Sequence, residues 1–206
     1  TSDAIPAIVS LVCTGIMSML LTNYRNFESM VVSKQRSDAL SAENFRLANL
    51  DSLRGLANRR AFFAQLEAEL EKARAKGQRL ALGVMDIDGF KPVNDLYGHS
   101  VGDRLLVEVA NRLSGLLEAS TAFRLGGDEF AIIAPVPPED DELVSNANAI
   151  SAQLKEAYQM PEGMIHVSAS MGIAVFPDLA LSREQLFDRA DYALYHAKNK
   201  RRGGAG

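Results

Sequence analysis

The chain has no tryptophan, a single cysteine (Cys13), and three scattered histidines, His99, His166 and His196. One cysteine excludes an intrachain disulfide. Without a Cys/His cluster a zinc site of the usual kind is excluded. There is no G-x-x-x-x-G-K-[ST] loop and no H-R-D set, which removes the P-loop NTPase and protein-kinase readings. A cationic excess is missing too: 22 Lys and Arg against 26 Asp and Glu leave a net charge of −4. Such a chain has no global electrostatic reason to bind nucleic acid. Any polyanionic ligand must be held by a local cluster or through metal ions.

Charge is also absent from Ala4 to Tyr24, "AIPAIVSLVCTGIMSMLLTNY". About 20 apolar residues at roughly 1.5 Å per residue cross a bilayer core. Arg25, Lys34 and Arg36 follow. The pattern predicts a transmembrane helix over residues 1–24 with its C-terminal side in the cytoplasm. The alternatives are a buried core helix and a signal sequence; the second wants a basic n-region and a small-residue cleavage site, and neither is evident. The first residue is Thr1 rather than Met, so the span is expected to be the last of a longer membrane protein. Residues 25–50 contain no Pro or Gly and read as a connecting helix. Leu40, Leu47 and Leu50 hint at a coiled-coil seam, which Ser37 and Asn44 interrupt; a solvated linker helix reads equally well.

A globular domain is expected over 51–202, followed by a frayed tail at 203–206. Asn58 is placed to cap a helix over 59–75 with Phe62, Phe63, Leu66 and Leu70 on one face, ended by Gly77. Residues 79–88, "RLALGVMDID", read as a buried strand, and 89–103 as an irregular connection with one helical turn. A long amphipathic helix follows from Val101 to Leu117. Then comes a hairpin, a helix over 140–158, a strand over 164–176 and a last helix over 182–199. This order predicts an α/β (α+β) fold with a central, mostly antiparallel sheet and helices packed against it.

The hairpin is "FRLGGDEFAII", residues 123–133. Gly126 and Gly127 fit a two-residue turn with positive φ at both positions, which sets Leu125 opposite Asp128 and Arg124 opposite Glu129. Strand alternation points Asp128 and Glu129 to opposite faces, so they cannot form one flat carboxylate pair. Turn chemistry alone would also place Gly and Asp here. A second acidic site argues for more. Asp86 and Asp88 share a face at a strand end, with Met85 and Ile87 on the other. Oxygen ligands of this kind suit Mg²⁺, which takes one or two carboxylates and shares its other positions with water and phosphates. A cationic group completes the set: Lys91 after the strand, and Lys198, Lys200, Arg201 and Arg202 at the end of the last helix, where the macrodipole also favours cations. Acidic metal ligands with cations nearby would serve a nucleoside triphosphate.

These residues resemble the GGDEF-domain diguanylate cyclases, whose naming motif is Gly126-Gly127-Asp128-Glu129-Phe130. The resemblance extends in order through "DSLRGLANRRAF" (51–62), "DIDGFKPVNDLYGHSVGDRLL" (86–106), "SMGIA" (170–174) and "ADYALYHAK" (190–198). It implies a five-stranded domain similar to the polymerase palm and to class III nucleotide cyclases. It implies condensation of two GTP into cyclic di-GMP with release of two pyrophosphates, at the interface of a homodimer. By position, Asp86, the carbonyl of Ile87 and Glu129 or Asp128 would bind Mg²⁺ (or Mn²⁺), and Asp128 would also assist activation of the 3′-hydroxyl. The division of roles between Asp128 and Glu129 stays open here. Lys91 would stabilise phosphate charge, Asn94 and Asp103 would read guanine, and Lys198 and Arg202 would hold the β and γ phosphates. The implied setting is a bacterial inner membrane with the catalytic domain in the cytoplasm.

Departures from the family pattern are visible as well. Leu117-Glu118-Ala119-Ser120 stands where an R-x-x-D product-inhibition motif often lies, so feedback through that site is not expected. Arg54 replaces a usual Thr and Arg201 a usual Gly, the second bearing on the placement of Arg202. A non-catalytic GTP-sensing or cyclic di-GMP signalling module is the competing function, against which the intact Asp86, Asp128, Glu129, Lys91, Asn94 and Asp103 argue.

Overall fold

The computed structural model describes residues 49–51, 56–117, 121–136 and 140–203, with isolated positions at 17, 19, 27, 28, 30, 34 and 36. Those isolated positions are helical and exposed and belong to a unit, Thr1–Leu47, distinct from the unit Ala48–Gly206. The helices expected over 1–24 and 25–50 therefore fall almost wholly outside the described residues. Among the described residues no helix is long and apolar enough to cross a membrane.

The domain runs α1 (Arg59–Lys76), β1 (Leu80–Asp88), α2 (Phe90–Tyr97), α3 (His99–Leu116), β2 (Thr121–Gly126), β3 (Glu129–Pro135), α4 (Asp140–Lys155), β4 (Tyr158–Met160), β5 (Gly163–Ile165), β6 (Ser168–Phe176) and α5 (Arg183–Gly203). β1 lies inside an antiparallel sheet of order β2-β3-β1-β6. That sheet has four strands among the described residues, not the expected five. The short β4 and β5 pair with each other instead, as a separate ribbon turning through Pro161 and Glu162 to Gly163.

The two sides of β1 build two cores. Leu80, Leu82 and Val84 face Phe62, Leu66 and Leu70 of α1 and Leu186, Ala190 and Leu194 of α5. Met85 and Ile87 face the other way, into Leu105, Val109 and Leu113 of α3, Leu154 of α4 and Phe130 of β3. Each such side chain taken out of water contributes about 1.5–3 kcal/mol before ordering costs. Period two then carries Asp86 and Asp88 onto the face that α5 covers.

Several expectations hold and several are corrected. Asn58 caps α1, its Oδ1 accepting from the Ala61 N–H at 3.1 Å, and Gly77 ends the helix. Residues 89–103 are not an irregular connection but α2 and the start of α3. Pro92 sits in the first turn of α2, where a missing N–H costs little, and Gly98 at φ 85° separates the two helices. The helix expected over 140–158 ends at Lys155, and the strand expected over 164–176 breaks at His166–Val167. The last helix extends through Gly203, into the expected tail.

Candidate active site

The sheet end that carries Asp86 and Asp88 opens into a cleft of about 580 Å³ lined by Asp86, Ile87, Asp88, Gly89, Phe90, Lys91, Pro92, Asp128, Ser168 and Lys198. Five elements supply it. β1 ends there in its two acids, and α2 begins there with Lys91. The β2–β3 turn brings Asp128, β6 brings Ser168, and α5 brings Lys198 one turn beyond the buried Leu194.

The turn differs from the expected register. Arg124 pairs with Phe130 and Gly126 with Glu129, so Leu125 is the extra residue of a bulge. Gly126 and Gly127 do take positive φ, 145° and 54°, which a side chain would resist. The backbone N–H of Ile87 donates to the Asp128 carbonyl at 3.1 Å, tying the turn to the end of β1. Glu129 lies opposite Asp86 in the β1–β3 register, so the two acids share a face; Glu129 itself is exposed. Asp128 is half-buried, and burial pushes its carboxyl above the ordinary carboxylate range. The negative charge of Asp86 adds to the rise; a hydrogen bond from its own backbone, Lys198 and Arg124 oppose it.

Asp86 is paired with Lys198, whose Nζ lies 2.6 Å from Oδ2. Asp88 is occupied differently. Ser170 Oγ lies 2.9 and 3.1 Å from its two carboxylate oxygens and Ser168 Oγ lies 3.3 Å from one of them. Sequence reasoning missed these serines, because only the register of β6 against β1 sets Ser168 opposite Asp88 and Ser170 opposite Asp86. It also missed Arg124 and Asp51. The Nη1 of Arg124 donates to Asp51 Oδ1 at 2.6 Å, while Nε and Nη2 donate to the Gly127 carbonyl at 3.0 and 2.8 Å.

Asn94 and Asp103 do not line this cleft. The Asn94 amide packs against the bare Cα of Gly102, where a Cβ would collide with it, and Asp103 follows Gly102 in sequence, exposed on α3. The Asn94 Oδ1 is a buried acceptor without a protein donor. Arg202 lies in α5, but its side chain, with that of Arg201, is outside the described residues, as are Arg54 and residues 118–120.

Among the described residues no three or more His, Cys, Asp or Glu side chains converge into a metal-holding group. Three carboxylates, Asp86, Asp88 and Asp128, line the cleft, and carboxylate oxygens are the donor type that suits a hard cation sharing its shell with water and phosphate oxygens. Lys91 and Lys198 place positive charge on the same cleft.

Residues 48–204 match the family described as "Diguanylate cyclase, GGDEF domain". The bifunctional diguanylate cyclase/cyclic di-GMP phosphodiesterase MucR of Pseudomonas aeruginosa is 39% identical over 163 residues, covering 79% of this chain and 24% of that protein. Diguanylate cyclase TpbB of the same species is 38% identical over 170 residues, covering 80% of this chain and 39% of that protein. The chain thus spans well under half the length of both relatives. Among solved structures, the coiled coil and GGDEF domain of DgcB from Caulobacter crescentus, in complex with c-di-GMP, superposes with a TM-score of 0.78 at 28% identity, covering 86% of this chain and 94% of that one. From residue 48 to residue 204, therefore, this chain belongs to the GGDEF-domain family of diguanylate cyclases.

Proposed function

We propose that the domain condenses two GTP molecules into cyclic di-GMP, with two domains facing each other and each holding one GTP. The observation that carries this reading is the meeting of Asp86, Asp128, Lys91 and Lys198 on one cleft at the end of β1. In each half-reaction a ribose 3′-oxygen bonds to the α-phosphorus of the other GTP, the bond from that phosphorus to the bridging oxygen breaks, and pyrophosphate leaves. The 3′-hydroxyl proton goes to a carboxylate at the site. Asp128 suits that task, because burial already raises its proton affinity.

A divalent cation, Mg²⁺ or Mn²⁺, would be held by Asp86, the Ile87 carbonyl and Glu129 or Asp128, and would supply charge neutralisation at the phosphates. Lys91 and Lys198 hold phosphate oxygens, with Arg202 as a third cation. Asn94 and Asp103 read guanine: Asp103 accepts from the N1–H and N2–H₂ donors that adenine lacks. The uncharged run Ala4–Tyr24 serves as an inner-membrane anchor, with the domain in the cytoplasm; its length and the basic residues after it support this.

The test is incubation of the purified chain with GTP and Mg²⁺, with the product identified by mass spectrometry, beside Asp128→Ala. Cyclic di-GMP from the parent alone supports the reading. GTP binding without product, persisting when two chains are joined through a fused coiled coil, would sink it in favour of a GTP-sensing module.

A further inference from the structure

The turn that carries Asp128 is clamped from both sides. Ile87 N–H holds the Asp128 carbonyl. Arg124 holds the Gly127 carbonyl with two arms of its guanidinium and reaches Asp51 with the third nitrogen. The planar fork meets both partners with a fixed, extended geometry that a compact ammonium on a flexible stem does not reproduce. The pair is well covered, with side chains 12% and 17% exposed. Two consecutive glycines give the turn little stiffness of its own, so its order must come from such contacts.

Asp51 is itself held at the edge of β2. Its N–H donates to Leu56 O at 3.0 Å, Asn58 N–H to Asn49 O at 2.8 Å, and Arg124 N–H to Ala57 O at 3.0 Å. Ala57 pairs in parallel with Phe123, one residue before Arg124. The first residues of the domain and the tip of the hairpin therefore meet in one side chain.

We infer that Arg124 is a positioning residue for the Asp128–Glu129 tip, and that Asp51, by holding the guanidinium, makes the order of that tip depend on how residues 49–51 and 56–58 are docked. A change that withdraws Asp51 loosens the turn, and with it the Asp128 side of the cleft, while Asp86, Lys91 and Lys198 keep their own contacts. The consequence for turnover rests on the cyclase reading; the consequence for tip order rests on the hydrogen bonds alone.

The experiment compares the full chain with Asp51→Ala, Arg124→Lys and the double variant. Amide hydrogen exchange is followed at Gly127–Glu129, with Leu80–Met85 of β1 as the fold control. Loss of a charge-assisted bond is expected to speed exchange at the tip about tenfold in each single variant. β1 stays unchanged, and the double variant adds little to either single one. Turnover at saturating GTP falls roughly tenfold or more while the KM for GTP moves less than about twofold, as misplacement of a reacting group predicts. Arg124→Lys keeps the charge, so its failure to rescue identifies the fork. Unchanged exchange at the tip in both single variants would overturn the inference. So would equal acceleration in β1, which would mark a general fold contact. A parent chain that makes no product sinks the cyclase reading, and the exchange comparison alone then decides this one.

Discussion

The Nζ of Lys198 lies 2.6 Å from Oδ2 of Asp86, joining the last helix to the end of the central strand. Both side chains are mostly covered, 28% and 15% exposed. A cation bound at Asp86 must share that carboxylate with the ammonium or displace it. Lys198→Met should therefore strengthen Mg²⁺ or Mn²⁺ binding to the GTP-free chain. A part-exposed pair is worth on the order of 1 kcal/mol, about fivefold in affinity. On the proposed reading, in which Lys198 holds a phosphate oxygen, the same variant should raise the KM for GTP about tenfold through loss of a charge-assisted bond. Calorimetry of metal binding and steady-state kinetics read the two effects separately. Metal affinity that falls in the variant would contradict the competition.

If Asp86 and Asp128 act as proposed, Asp86→Asn and Asp128→Asn should each lower turnover on the order of 100-fold or more, because developing charge in such reactions is stabilised mainly by positioned groups. Circular dichroism should show both variants folded, since both residues line a cleft rather than belonging to either apolar core. Turnover within twofold of the parent in Asp86→Asn would remove that residue from the site.

The raised proton affinity of Asp128 has a sign that can be checked on metal-free protein. Burial first, and Asp86 second, disfavour its ionised form in the folded chain. The folded state thus holds this proton more tightly than the unfolded state, whose carboxyl titrates near 3.8. The stabilising contribution of the protonated group is complete below that value and is lost as pH rises through the higher folded value. Asp128→Asn, which cannot ionise, should be more stable than the parent near neutral pH. The gap should close as pH falls through the carboxylate range. Denaturant midpoints measured across pH give the comparison, and a gap that widens on acidification would reverse the assignment.

Much of this was legible in one dimension because the signals were local. The Asn58 cap, the Phe62–Leu70 stripe of α1 and the alternation that puts Asp86 and Asp88 on one face of β1 all lie within a few residues of what they determine. The acidic turn and Lys198 were legible as chemistry, and the fold brings both to one cleft. What stayed hidden depends on distant partners. Ser170 finds Asp88 from 82 residues away, and Arg124 finds Asp51 from 73. The bulge at Leu125 shifts the turn by one position, while Arg124 spans it to reach the Gly127 carbonyl. The β4 and β5 strands are three residues each, too short for alternation to register. Pro92 disguised α2, although the first turn of a helix tolerates it.

Gly172 and Gly115 allow one substitution to be tested with opposite signs. A Cβ at Gly172 of β6 would collide with backbone atoms of Ala190, Ala193 and Leu194, so α5 rests directly on the bare strand there. Backbone cannot rotate away, and the helix must move. Gly172→Ala should cost about 1–3 kcal/mol, the usual range for overpacking, which lowers Tm on the order of 5 °C for a domain of this size. Because α5 also carries Lys198, the shift should raise the KM for GTP at temperatures where the variant is fully folded. Gly115 lies exposed on α3 with nothing near its missing Cβ. Gly115→Ala should stabilise the chain by up to about 1 kcal/mol through helix propensity and leave KM unchanged. Thermal melts of the two variants beside the parent decide the matter. A Gly172→Ala chain as stable as the parent would mean that α5 does not bear on β6 at that glycine.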